Sequence, residues 1–177
     1  MADVTLTPNR VMLGVGGVVI GLDQLTKWTV LKCLPRGEEW VVVDGFFRLV
    51  HWTNTGAAWS SFSGYNDILA VVGVIALVVL YWNRHRFEAH TRLGQMSLGL
   101  VFGGIVGNLI DRLIHKHVVD FLLFYVERRG GSEAVFPAFN IADAAICTGV
   151  GLIFVASLRN GSAKAGAGDS QSSPGQP

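Results

Sequence analysis

Charge is scarce in this chain: Asp, Glu, Lys and Arg together make up 15% of 177 residues, half of all residues are hydrophobic, and mean hydropathy is +0.43. That excludes an ordinary soluble domain and fits a small polytopic membrane protein. An excess of one sign is missing as well. At a net charge of +1 the chain offers no footprint for nucleic acid. Cysteine is nearly absent. Cys33 stands at a helix end and Cys147 inside an apolar run. No disulfide or cysteine metal knuckle is expected, and both are read as small buried side chains. HExxH is missing, and no GxSxG accompanies a histidine, so the commonest zinc- and serine-hydrolase patterns are excluded.

Long apolar runs are what the chain does have. Four are expected to span a membrane, over about 11–31, 66–83, 93–113 and 141–158. The first could pass for a signal peptide, but Asp23 follows without a small-x-small cleavage pattern and further apolar runs come later. Residues 1–159 read as one domain, and residues 160–177, rich in Gly, Ser, Ala and Pro, as a disordered cytoplasmic tail. Between the first two spans, EEWVVVDGFFRLVHWTN reads as two β-rich runs around the Asp44-Gly45 turn. Trp40, Phe46, Phe47, Trp52 and Trp59 crowd this segment, which suits a hairpin platform lying on the bilayer. The expected fold is therefore an all-α membrane protein with four transmembrane helices and a small extracytoplasmic β-hairpin. Lys and Arg fall evenly on the two sides, but the loop with Arg84, Arg86 and Arg92 is the densest basic segment. This places both termini in the cytoplasm and the larger connections outside.

Ionisable groups at membrane depth are costly and tend to mark sites. Asp23 and Lys27 lie four apart on one helix face, in the order that favours an ion pair. The alternative is a helix-end pair with Lys27 snorkelling to the headgroups. Gly99, Gly103, Gly107 and Asp111 fall at four-residue steps, beside a stripe of Gly104, Asn108 and Arg112. Small residues at that spacing allow close helix packing. Here they run into a polar cluster that could be a structural knot.

Asp120 and Asp143 are the candidate catalytic pair. Two carboxylates brought close share a proton, so one can act as base and the other as acid on a water molecule. Asp143 is the expected ionised partner, and Asp120 the proton carrier. Each has a plainer reading: Asn140-x-x-Asp143 is a helix cap, and Asp120 a surface carboxylate. A zinc site at His115-x-His117 with Asp111 and Asp120 is the rival chemistry. A proton-coupled carrier using Asp23, Lys27 and Asp111, and a scaffold with a polar knot, are rivals of other classes.

Five blocks then carry a resemblance: DQLTK at 23–27, NTGAAW at 54–59, GNLIDR at 107–112, VVDF at 118–121 and FNIAD at 139–143. In order and spacing the chain resembles lipoprotein signal peptidase, the bacterial signal peptidase II. The resemblance implies an aspartic endopeptidase of the bacterial inner membrane. It would remove the signal peptide from diacylglyceryl-modified prolipoproteins by cutting before the lipid-modified cysteine. It further implies catalysis by Asp120 and Asp143 without metal or other cofactor. Support would come from Asp23, Lys27, Asn54, Gly56, Asn108, Asp111, Arg112, Asn140 and Ala142. Partners would be membrane lipid, the lipidated substrates and globomycin-type peptide inhibitors. Trp59 stands where the family leads one to expect Phe, and Ala144 where Ser or Thr is frequent. Asn54, Asn108 and Arg112 are expected to donate to the substrate backbone, and the small residues 54–58 to form a specificity pocket.

Overall fold

The computed structural model describes residues 9–56, 65–87, 89–128 and 130–169, with side chains through residue 159. Helices α1 (Arg10–Cys33), α2 (Asn66–Trp82), α3 (Arg92–His115) and α4 (Ile141–Asp169) begin within about two residues of the apolar runs that predict them. Their ends follow local chemistry. Thr91 caps α3 by accepting the Gly94 N–H through its Oγ1 at 2.9 Å, and Lys116 closes the helix in the left-handed region at φ 61°. Pro35 follows the C-cap residue Leu34 of α1. The backbone of α4 stays helical past Leu158, where its apolar run ends, and residues 170–177 lie outside the described part.

Helix α3 is the hub, and its glycines explain why. A Cβ built on Gly103 would lie 2.8 Å from the Gly16 carbonyl oxygen of α1, and one on Gly104 would collide with the Ala142 carbonyl of α4. Only a residue without a side chain lets both neighbours approach so closely. α2 is loosely attached, burying only Asn66 and Ala70 and leaving Val71, Val72, Ile75 and Val79 more than half exposed. Val150, Phe154, Val155 and Leu158 of α4 are exposed to a similar degree. Apolar bands of this kind fit hydrocarbon surroundings. By length and apolarity, α3 and the α4 segment to Arg159 suffice to cross a membrane, while α2 is apolar but shorter.

The expected hairpin forms, with Gly45 at φ 70° in the turn between β1 (Glu39–Val43) and β2 (Phe47–Asn54). It is only half of the β structure, however, and the all-α expectation needs correcting. Strands β3 (Val118–Glu127) and β4 (Glu133–Val135) extend it to an antiparallel sheet in the order β1-β2-β3-β4. The run VVDFLLFYVE, between the third and fourth expected spans, is rich in β-branched and aromatic residues, the strand-forming classes. Val30 and Leu34 of α1 pack on Val119 and Phe121 of β3 and fix the sheet to the bundle. The cysteines are also corrected. Cys33 and Cys147 are both exposed.

Candidate active site

α1 and α3 end on the side where α2 and α4 begin, and the sheet lies there too. Asp120 is the third residue of β3, opposite Trp52 of β2. The chain before α4 joins the far edge of this strand. Phe121 and Leu122 donate their N–H groups to the Phe139 carbonyl at 3.1 and 2.9 Å, and Phe139 donates to the Leu122 carbonyl at 3.1 Å. This ladder delivers Asn140 and Asp143 beside Asp120.

Asn140 is fully buried and joins the two acids. Its Nδ2 donates to Asp120 Oδ1 at 2.9 Å, and its Oδ1 accepts the Asp143 N–H at 2.9 Å. In return its own N–H donates to Asp143 Oδ2 at 3.3 Å. The two residues thus form a reciprocal capping box, so the cap foreseen for Asp143 exists and presents the carboxylate instead of consuming it. Asn54 Nδ2 donates to Asp120 Oδ2 at 3.0 Å, and Asn108 Nδ2 to Asp143 Oδ1 at 2.7 Å. Each of these asparagines therefore gives one of its two amide N–H groups to an acid.

Asp120 is no surface carboxylate, since it is only 4% exposed. Burial, then the charge of Asp143, push its pKa up to about 7, against the lowering effect of Asn54, Asn140 and Lys27. Both acids open onto one cleft of about 760 Å³. Its walls are Trp52, Phe136, Pro137, Phe139, Ile146 and Cys147, and Arg112 is its only cation among the described residues. Arg112 donates to the Gly56 carbonyl at 3.0 Å and reaches Asn66 Oδ1 at 3.5 Å, pinning the chain after β2 to the start of α2. Gly56 N–H in turn donates to Asn54 Oδ1 at 2.8 Å. Ala57, Ala58 and Trp59 lie outside the described residues, so the pocket expected over 54–58 is seen only through Gly56. Ala144 lines the cleft.

Behind the pair lies a closed knot. Lys27 does not snorkel. It is 2% exposed, with Nζ 2.9 Å from both Asp23 Oδ2 and Asp111 Oδ2. Asp23 Oδ1 also accepts the Ala142 N–H at 3.0 Å, and Asp111 Oδ2 accepts the Val119 N–H at 3.2 Å. α1, α3, α4 and β3 are thereby tied at one point. Asp111 and Arg112 do not pair with each other. Gln24 completes the knot, its Nε2 lying 3.1 Å from Asp23 Oδ2, 3.2 Å from the Gly107 carbonyl and 3.1 Å from Asp111 Oδ1. The sequence reading passed Gln24 over, although a lone amide beside Asp23 in an apolar helix is itself a signal. With Asp111 committed to Lys27 and Asp120 to two asparagines, the zinc grouping with His115 and His117 does not assemble among the described residues.

The family model for signal peptidase (SPase) II matches residues 15–159. The chain belongs to that family. It is similar to the lipoprotein signal peptidase of Syntrophotalea carbinolica, at 37% identity over 88% of this chain and 96% of that one. It is also similar to the lipoprotein signal peptidase of Bacillus pumilus, at 39% identity over 81% and 90% of the two chains. Two solved structures, each of a bacterial membrane enzyme, superpose on it with TM-scores of 0.76 and 0.69. They share 28% and 31% identity with it, cover 93% and 83% of this chain, and are themselves covered to 94% and 92%. In this signal peptidase II the acids, the cap and the knot all lie within the matched residues.

Proposed function

We propose that this signal peptidase II removes the signal peptide from diacylglyceryl-modified prolipoproteins, cutting before the lipid-modified cysteine, with Asp120 and Asp143 as its catalytic pair. The observation that carries this reading is the shared cleft: a buried and a half-buried carboxylate held by amides, without a cation of their own, against apolar walls. Such a pair retains one proton between its members near neutral pH. The ionised member takes a proton from a water molecule as that water attacks the scissile carbonyl. The protonated member gives its proton to the carbonyl oxygen, forming a gem-diol. The first acid then passes the water-derived proton to the amide nitrogen while the second takes back a gem-diol proton, and the C–N bond breaks to release the amine and restore the pair. Asp120, with its pKa near 7, suits the acid role, leaving Asp143 as the base. Arg112 is placed to polarise the carbonyl or to hold substrate backbone.

In this reading all four helices cross a bacterial inner membrane, α1 and α2 alongside the two that are long and apolar enough by themselves, with both termini cytoplasmic and the cleft toward the outer face. Arg84 and Arg86 lie at the opposite end of the bundle from the acids, as the positive-inside rule requires for that orientation. The half-exposed Trp40, Val41, Val42 and Val43 of β1 suit a sheet resting on the bilayer surface. A lipid-bearing substrate would then enter sideways. Globomycin-type peptides would compete for the same cleft.

The test is cleavage of a lipidated precursor by the purified enzyme. Asp120→Asn and Asp143→Asn should each lower kcat/KM at least ~1,000-fold while leaving the fold intact. Cleavage surviving in either variant rejects the paired-acid mechanism.

A further inference from the structure

We propose that Lys27 is a positioning residue for the aspartate pair, acting through the side-chain amide of Asn108. The inference rests on the catalytic reading above and deepens it. A lysine that served only to knot helices would need no more than its two carboxylates. Lys27 makes a third contact, donating to Asn108 Oδ1 at 3.0 Å. The same oxygen accepts from Asn140 Nδ2 at 3.2 Å. With two donors on Oδ1 the amide is not free to flip, so its Nδ2 must face Asp143 Oδ1. Asn140 Nδ2 in turn reaches Asp120 Oδ1. One buried cation thus orients the amide that holds one acid, and shares that amide's oxygen with the residue that holds the other.

The charged groups around this relay are few. Asp23 and Lys27 come from α1, Asp111 and Arg112 from α3, Asp120 from β3 and Asp143 from α4, with His117 beyond Asp111. Arg112 is engaged with Gly56 and Asn66, which leaves Lys27 as the cation in contact with Asn108. Its positive charge at that point favours the ionised state of the pair and sets where activity is lost on the acid side.

Two full-length variants test this by the pH dependence of kcat/KM on a lipidated precursor. Lys27→Met combined with Asp111→Asn removes the cation yet keeps the net charge of the knot. The acid limb of its profile should move up by about one pH unit, so that cleavage on that limb falls about tenfold. Asp111→Asn alone keeps Lys27 and removes a neighbouring negative charge, so its limb should move down. Restoring charge with Lys27→Arg in the Asp111→Asn background should bring the limb back toward that of Asp111→Asn. If the rate falls but the limbs stay in place, Lys27 is merely structural and the proposal is overturned. Should the double variant fail to fold, an unmoved limb in Asp111→Asn overturns it equally. Asp120→Asn assayed alongside separates the two layers: if it still cleaves, the catalytic reading fails; if it is dead and the limbs are unmoved, only the Lys27 relay fails.

Discussion

Two pairs of aspartates meet where α1, α3, α4 and β3 converge, and the protein treats them oppositely. Asp23 and Asp111 share a lysine, a glutamine and two backbone N–H groups, and are 0% and 1% exposed. Asp120 and Asp143 are held by asparagines and one backbone N–H, have no cation of their own, and open onto a cleft. Residue type is the same, and three of the four are buried while Asp143 is half-buried; what differs most is the presence of a cation. A carboxylate bound to a cation has little left to trade and serves as a tie. One held only by neutral donors keeps a proton within reach of neutral pH and can pass it on.

Removing Lys27 should break this contrast with the largest effect on folding. Lys27→Met leaves two buried carboxylates facing each other and should destabilise the protein by about 3–5 kcal/mol, read as loss of thermal stability in detergent. If the stability is unchanged, the knot is not what joins α1 to α3.

Asp120→Asn should do the reverse, in a pH-dependent way. The folded pKa of Asp120 is raised to about 7, so the native state binds a proton that the unfolded chain releases near 4. Stability from this group is therefore full below pH 4 and falls as pH rises toward 7. An asparagine at this position has no charge to suffer this penalty. At pH 8 the variant should be more stable than the wild type, and at pH 4 no more stable. The upper bound is about 4 kcal/mol, from a rise of three pKa units. The observed gain should be smaller, because the new amide N–H would face Asn54 or Asn140. A difference of the same size at both pH values would mean that Asp120 is not the strained member.

Asn140→Ala sharpens the comparison at lower cost. It removes the cap of α4 and the bridge between the acids, for about 1–2 kcal/mol of stability. A cap lost from an unrelated helix would have little effect on catalysis, whereas here cleavage should fall much further than folding does.

How much of this was legible in sequence depends on whether the signal was local. The helices were, because apolar runs and their breakers are contiguous. So was the Asp23–Lys27 pair, four residues apart on one helix, and so was the Asn140–Asp143 cap. β3 was not, because its apolar residues match a buried strand and a linker between spans equally well until β2 provides a register. Asp120 was singled out, but the two asparagines that hold it come from positions 54 and 140, and no periodicity connects them. Gln24 was missed for a related reason: its partners Gly107 and Asp111 lie on another helix. That Asn54 and Asn108 each give an N–H to one of the acids was not legible either, because an amide carries two N–H groups and only geometry shows where each goes.

The smallest effect belongs to a third ion pair, one that tests whether burial really separates the first two. Lys116 Nζ lies 3.5 Å from Asp67 Oδ1, with side chains 67% and 84% exposed, at the same end of the bundle. It has the same chemistry as the Lys27 knot, but here water solvates both ions already and salt screens them over about 10 Å at 0.1 M. Asp67→Asn should therefore change stability by less than about 1 kcal/mol. Whatever it does change should vanish as ionic strength rises. The loss in Lys27→Met should persist in the same salt series, since ions do not penetrate a site that is 2% exposed. If the two variants responded alike to salt, the knot would be wetter than its geometry implies, and the contrast between the compensated and uncompensated aspartates would lose its physical basis.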